Sequence, residues 1–130
     1  MGLAGLLAQN ATFAGVVATR IALASLDGVQ EAVVAGLWAL HDALFALNGA
    51  FLATALVGLS LAGRRTGLIR PWHAALGLLS AALLFTSGVL APVVVDGAPT
   101  AGLAGLLGWL LWVVWVTAYG VVLLRRPAPA

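Results

Sequence analysis

The strongest constraint on this chain is the length of its apolar segments. Four of them follow one another, at about residues 2–26, 29–63, 73–95 and 101–124. A helix rises 1.5 Å per residue, so about 20 apolar residues cross the roughly 30 Å hydrocarbon core of a bilayer. Each segment is long enough for one crossing. The sequence therefore predicts an all-α, polytopic membrane protein with four transmembrane helices in a compact bundle, forming a single domain over residues 1–130.

Composition favours a bilayer over water as the surrounding solvent. Apolar residues make up 63% of the chain and charged residues 8%, whereas soluble domains carry about 25% charged residues. The formal net charge of +2 rests on six arginines, most of which stand beside apolar segments. Nucleic acid binding instead needs basic residues clustered on one face. We therefore expect the lipid bilayer, and not nucleic acid, as the partner.

The residue types of common catalytic and metal sites are sparse. The chain has no cysteine, which excludes disulfides, thiolate metal sites and thiol catalysis. Its two histidines, His41 and His73, fall at opposite membrane edges, about 30 Å apart, so one metal ion or haem cannot use both. No nucleophile–base set or metal cluster stands out. We expect no metal, no cofactor and no enzymatic activity.

The arginines predict the orientation, because cytoplasmic loops of membrane proteins are enriched in basic residues. Two arginine groups are interpreted as cytoplasmic topology anchors: Arg64, Arg65, Arg70, Arg125 and Arg126. The loop around Asp96 and the 23–30 connector then lie outside, and both termini lie in the cytoplasm. The absence of lysine and the abundance of Ala, Leu, Val and Gly indicate a GC-rich coding bias. We therefore expect a multi-pass protein of a bacterial inner (plasma) membrane.

Turn-forming residues mark the connectors between the segments. Asp27 and Gln30 have the spacing of a capping box in front of the second helix. Pro71 suits the first turn of the third helix. Pro92 is expected to bend or end that helix near the outer face.

Counting residues gives the depth of the polar side chains in the second helix. About 20 residues before Arg64, one bilayer thickness, the outer edge falls near Ala43. His41 and Asp42 are then predicted at the outer boundary, and Asn48 about 8 Å inside it.

Arg20 is predicted at the same height on the first helix, counting about 20 residues from Gly2. Pairing would relieve part of the cost of placing a charge in the membrane. We predict an ion pair between Arg20 and Asp42, with His41 or Glu31 as competing partners of the arginine. The alternative is that each side chain extends separately to head groups or water.

Helical spacing groups these residues into a candidate polar seam. His41 and Asn48 are seven residues apart, and Gln9 and Arg20 eleven, so each pair lies on one helical stripe. If the stripes meet, they form a seam from mid-membrane to the outer surface that consists of Gln9, Arg20, His41, Asp42 and Asn48. The seam either joins helices by hydrogen bonds or binds a solute or lipid head group in a shallow outward-facing pocket.

The fourth segment carries an aromatic band. Trp109, Trp112 and Trp115 recur every three residues, and Tyr119 continues the band. One interpretation is a bulky packing or lipid-facing ridge. The other is a wall on which a quinone, carotenoid or chlorin stacks. The small residues of "AGLAGLLG" before the band permit close helix approach.

A longer stretch, "LWALHDALFALNGAFLATALVGLSLAGRRTGLIRPW" at residues 37–72, carries a family resemblance. Through its WALHDALFALN segment and RRTGLIRPW loop, the region 29–126 resembles the C-terminal part of an uncharacterised family of bacterial multi-helix integral membrane proteins. The resemblance implies a membrane helical fold, with this chain as a short form or truncated copy. It implies no particular activity or site.

Two functional classes are open for an integral membrane protein of this kind. In the first, the chain is a non-enzymatic accessory subunit that packs against itself, as a homo-oligomer, or joins a larger membrane complex. In the second, it is a small transporter or a solute- or head-group-binding protein that uses the polar seam.

Overall fold

The described part of the chain forms four helices. A computed structural model describes residues 1–26, 30–90 and 99–125. In these ranges the helices are α1 (Gly2–Ala24), α2 (Glu31–Arg65), α3 (Pro71–Val89) and α4 (Pro99–Leu124). Each contains a stretch long and apolar enough to cross a membrane. This confirms the prediction of an all-helical chain with four helices of membrane-spanning length.

Every helix has at least one boundary that differs from the expected one, and α3 differs most. α3 begins at Pro71 rather than at residue 73, because a proline in the first turn lacks only an amide that the helix would leave unpaired. It ends at Val89 rather than at residue 95. In the sequence, Pro92 follows three residues later, and proline has no backbone N–H to donate within a helix. Several residues with sequence-based predictions lie outside the described ranges: Asp27, Pro92, Asp96 and Arg126.

The second helix is continuous and unusually long. Its 35 residues span about 52 Å, against roughly 30 Å for a hydrocarbon core. None of its first ten residues is buried, and burial begins at His41. The excess length therefore lies at the N-terminal end of α2, which extends beyond the packed part of the protein.

A glycine turn connects α2 to α3. Gly67 adopts a left-handed φ of 67°, which costs glycine little because it has no Cβ. The amide of Leu68 donates to Gly63 O at 2.8 Å, and that of Gly67 donates to Arg64 O at 3.2 Å. This bond pair is the Schellman motif that ends many helices. It reverses the chain within a few residues, so that α3 packs against α2.

Extensive packing in the described chain joins helices that are neighbours in sequence. α1 packs on α2, α2 on α3, and α3 on α4. The arrangement is compatible with a bundle, but α1 and α4 are not closed against each other. An open space therefore remains between the first and last helices.

The core lies where α2, α3 and α4 cross. Its buried apolar side chains are Leu52, Ala53, Leu56, Ala81, Leu84 and Trp115. Elsewhere large apolar side chains are exposed on all four helices, among them Leu3, Phe45, Phe85 and Val114. An apolar surface of this extent marks contact with lipid or with another protein.

Candidate functional site

A chain of two hydrogen bonds links α1 to α2 through His41. The Nε group of Arg20 donates to His41 Nε2 at 3.2 Å, and His41 Nδ1 lies 3.1 Å from Asp42 Oδ1. A guanidinium group can only donate, so Nε2 of the imidazole must accept. Nδ1 then carries the ring hydrogen and donates to Asp42. The Arg20 contact therefore requires the neutral form of His41.

The direct ion pair expected between Arg20 and Asp42 does not form. Among the described residues, the Asp42 carboxylate contacts the neutral ring of His41, and Glu31 has no cationic partner within 4.0 Å. His41 is 6% exposed, whereas the Asp42 side chain is 56% exposed. Consecutive residues of a helix point about 100° apart. His41 therefore faces α1, and the Asp42 carboxylate points away from α1 toward the protein surface. The anticipated competitor is thus the partner of Arg20.

We predict a coupling energy of about 1 kcal/mol between Arg20 and His41, the usual net worth of a hydrogen bond across membrane helices. A double-mutant cycle with Arg20→Ala and His41→Ala measures it, with unfolding in an SDS titration followed by circular dichroism. The matched cycle of Arg20→Ala with Asp42→Ala should give a smaller coupling. A larger coupling energy in the second cycle would instead support a direct ion pair between Arg20 and Asp42.

A second inter-helix contact lies deeper along the seam. Gln9 Nε2 donates to Asn48 Oδ1 at 3.0 Å, and Asn48 is buried whereas Gln9 is partly buried. The bond uses the oxygen of Asn48, and its Nδ2 group has no acceptor among the described residues. The two predicted stripes therefore do face each other, and one amide donor of the seam stays available to a ligand.

The open space between α1 and α4 is a cavity of about 810 Å³, here called the groove. Gln9, Asp42 and Asn48 line it from α1 and α2, and Trp109 and Trp112 line it from α4. The two indole rings lie 6.0 Å apart, tilted by 48°. The polar seam and the aromatic band, which the sequence offered as separate candidates, thus share one cavity. The groups that a ligand would meet are amides, a carboxylate and aromatic rings.

The aromatic band divides between the groove and the core. Trp115 is 3% exposed and packs in the core, with Tyr119 against it at a ring separation of 4.8 Å. Neither lines the groove. The packing interpretation therefore describes these two residues. Trp109 and Trp112 line the groove, and Trp112 also packs against the core, so the ligand-wall interpretation applies to these two side chains without excluding packing for Trp112. Arg20 and His41 likewise stand beside the groove rather than in its lining.

His73, near the start of α3, is a buried residue that contacts α4. Its side chain is 1% exposed, and its Nε2 lies 3.0 Å from the carbonyl oxygen of Trp115. A carbonyl can only accept, so Nε2 carries the hydrogen. A sequence signal did exist, because His73, Gly77 and Ser80 recur at helical spacing on one stripe of α3. All three are buried.

Comparisons with protein-family models, with curated proteins and with solved structures give no match to this chain. The resemblance of residues 29–126 to a bacterial membrane protein family therefore stays an expectation.

Proposed function

We propose that the chain is a four-span protein of a bacterial inner membrane that binds an amphipathic small molecule in the groove. The proposed role is binding rather than catalysis. Four helices of membrane-spanning length and apolarity support the membrane setting. The groove has the size of small-molecule sites, which are typically about 300–1,000 Å³.

The proposed orientation places both termini in the cytoplasm. Arg64 and Arg65 end α2, Arg70 precedes α3, and Arg125 follows α4. Because α2 runs opposite to α3 and α3 opposite to α4, these arginines gather at one end of the bundle. That end is assigned to the cytoplasm by the basic character of cytoplasmic loops, and the end of the groove lined by Asp42 then lies toward the outer side of the membrane.

One observation carries the binding proposal: hydrogen-bonding groups and aromatic rings from opposite walls converge on one cavity. Asn48 Nδ2 can donate to a carbonyl or hydroxyl oxygen, and the Asp42 carboxylate can accept from a hydroxyl or amine. Trp109 and Trp112 offer flat apolar surface to the rest of the molecule. The ligand class is therefore an amphiphile whose head group both donates and accepts hydrogen bonds.

Filling the groove should expel the ligand. Gly102 lines the groove and Gly120 does not, although both lie on α4 with open space around an added Cβ. We expect Gly102→Phe to lower the amount of co-purified amphiphile about tenfold, since a steric cost of 1.4 kcal/mol suffices for that change. Gly120→Phe should leave the amount unchanged. Mild-detergent purification, organic extraction and mass spectrometry give the readout.

A role as an accessory or self-associating subunit is the second candidate, supported by the exposed apolar surfaces of all four helices. In that case, a stoichiometric protein partner or second copy accompanies the wild-type chain. Two results together would replace the small-molecule proposal with the subunit role. The wild type would yield no extractable amphiphile, and the Gly102→Phe variant would no longer co-purify with that protein.

A further inference from the structure

A second cavity lies at the end of the bundle that holds the α2–α3 connector, opposite the end near Asp42. It has a volume of about 580 Å³ and is here called the arginine cavity. Arg70 and Arg125 line it, together with Trp72 and His73 from the start of α3. Its remaining wall comes mainly from Leu68, Ala118, Val121 and Val122. Two arginines from separate parts of the chain therefore line one cavity that has an apolar wall.

The position of Arg70 is fixed by its neighbours in the connector. Ile69 is 5% exposed, and its side chain packs near Gly63, where Tyr119 also approaches. Arg70 has extended backbone angles of −73° and 157°, as expected for a residue before proline. Because Ile69 before it is buried and Pro71 after it restricts its backbone angles, Arg70 has little backbone freedom. The arginine cavity is thus part of the packed structure.

The electrostatics of the arginine cavity favour an anion. Arg70 is the N-cap of α3, and the N-terminus of a helix adds a partial positive charge. The described carboxylates, Glu31 and Asp42, lie in the first part of α2, far from the connector that ends it. Within the described residues neither arginine has a carboxylate within 4.0 Å. An anionic ligand would meet two guanidinium groups and a helix dipole.

The aromatic side of the arginine cavity suits a lipid at the membrane interface. Trp72 is 59% exposed, and its ring stacks on His73 at 5.3 Å, as in the aromatic belts found at bilayer surfaces. His73, whose Nε2 contacts the Trp115 carbonyl, also lines the cavity. Val121 and Val122 continue the cavity along the apolar surface of α4.

We propose that the arginine cavity binds the phosphate of an anionic phospholipid from the cytoplasmic leaflet. Arg70 and Arg125 contact the phosphate, and the valines of α4 contact the first methylene groups of an acyl chain. Basic pockets between transmembrane helices on the cytoplasmic side bind lipid head groups in this way. The proposal depends on the membrane setting but not on the ligand of the groove.

Native mass spectrometry of the full chain in mild detergent tests the proposal, with phosphatidylglycerol and phosphatidylcholine as competing lipids. We expect the wild type to retain phosphatidylglycerol about tenfold better, in line with two arginines near a lipid phosphate. The Arg70→Gln/Arg125→Gln variant should lose this preference. The matched Arg64→Gln/Arg65→Gln variant removes the same charge from residues outside the cavity and should keep it.

Each further outcome has a defined meaning. Equal loss in both double variants, or no preference in the wild type, would overturn the proposal. If millimolar inorganic phosphate displaced the lipid, the assignment of a lipid ligand would be overturned, and the site would be assigned to free phosphate. Arg125 is exposed and follows the last residue of α4, so Arg125→Gln alone should fold normally. Its intermediate preference would support the proposal even if the double variant misfolds, and an unchanged preference would overturn it.

Discussion

Replacing Gly77 by alanine should lower the free energy of unfolding by about 3 kcal/mol, the upper end of the usual cost of overpacking. A Cβ at this position would overlap Ser60 Oγ from α2 and lie 2.8 Å from Trp115 Cδ1 of α4. Both side chains are buried, so neither can rotate into open space. Unfolding in an SDS titration, followed by far-UV circular dichroism, measures the change.

Gly36→Ala is the matched control for this substitution. Gly36 lies within α2 and has nothing within 4 Å of an added Cβ. Alanine should therefore stabilise the chain there by about 0.5–1 kcal/mol through its higher helix propensity. If Gly77→Ala were as stable as Gly36→Ala, the close crossing of α2, α3 and α4 would be wrong.

Replacing Gly5 by alanine should cost about 2 kcal/mol by separating α1 from α2. An added Cβ would lie 2.7 Å from the backbone nitrogen of Ala55 and 3.0 Å from the carbonyl oxygen of Phe51. Backbone atoms inside a helix cannot move aside, so α1 itself has to shift. Thermal unfolding in detergent, followed by circular dichroism, measures the loss.

Gly15 supplies the control on the same helix. A Cβ there would meet the end of the Leu44 side chain at 3.3 Å, and a leucine can adjust its rotamer. Gly15→Ala should therefore cost less than 1 kcal/mol, about the effect of a tolerated core change. Equal destabilisation by the two alanines would show that the backbone contact at Gly5 is not special.

The helices were predictable because long apolar segments constrain the chain strongly. The contact between the stripes that carry Gln9 and Asn48 could also be predicted from the sequence, because the depth and the helical angle of a residue both follow from counting residues. The partner of Arg20 was not. Its choice between His41 and Asp42 depends on a rotation of about 100°, and depth counting does not resolve angles around the helix.

The groove was not predictable, because it depends on which helices fail to meet. The sequence gives each helix an apolar surface but does not say that α1 and α4 stay apart. For the same reason, the sequence could not divide the aromatic band: Trp112 lines the groove, whereas Trp115, three residues later, is buried in the core. Neighbouring positions on one helix acquire different roles only through the packing of the other helices.

The order in which the helices pack also bears on how the chain is assembled. Because extensive packing joins α1 to α2, α2 to α3 and α3 to α4, each helix after the first can pack against the preceding helix as soon as it has been synthesised. Contacts between sequence neighbours require little loop-closure entropy and favour rapid folding. The protein can therefore be built as a series of hairpins, from the N-terminus onward, without waiting for its last helix.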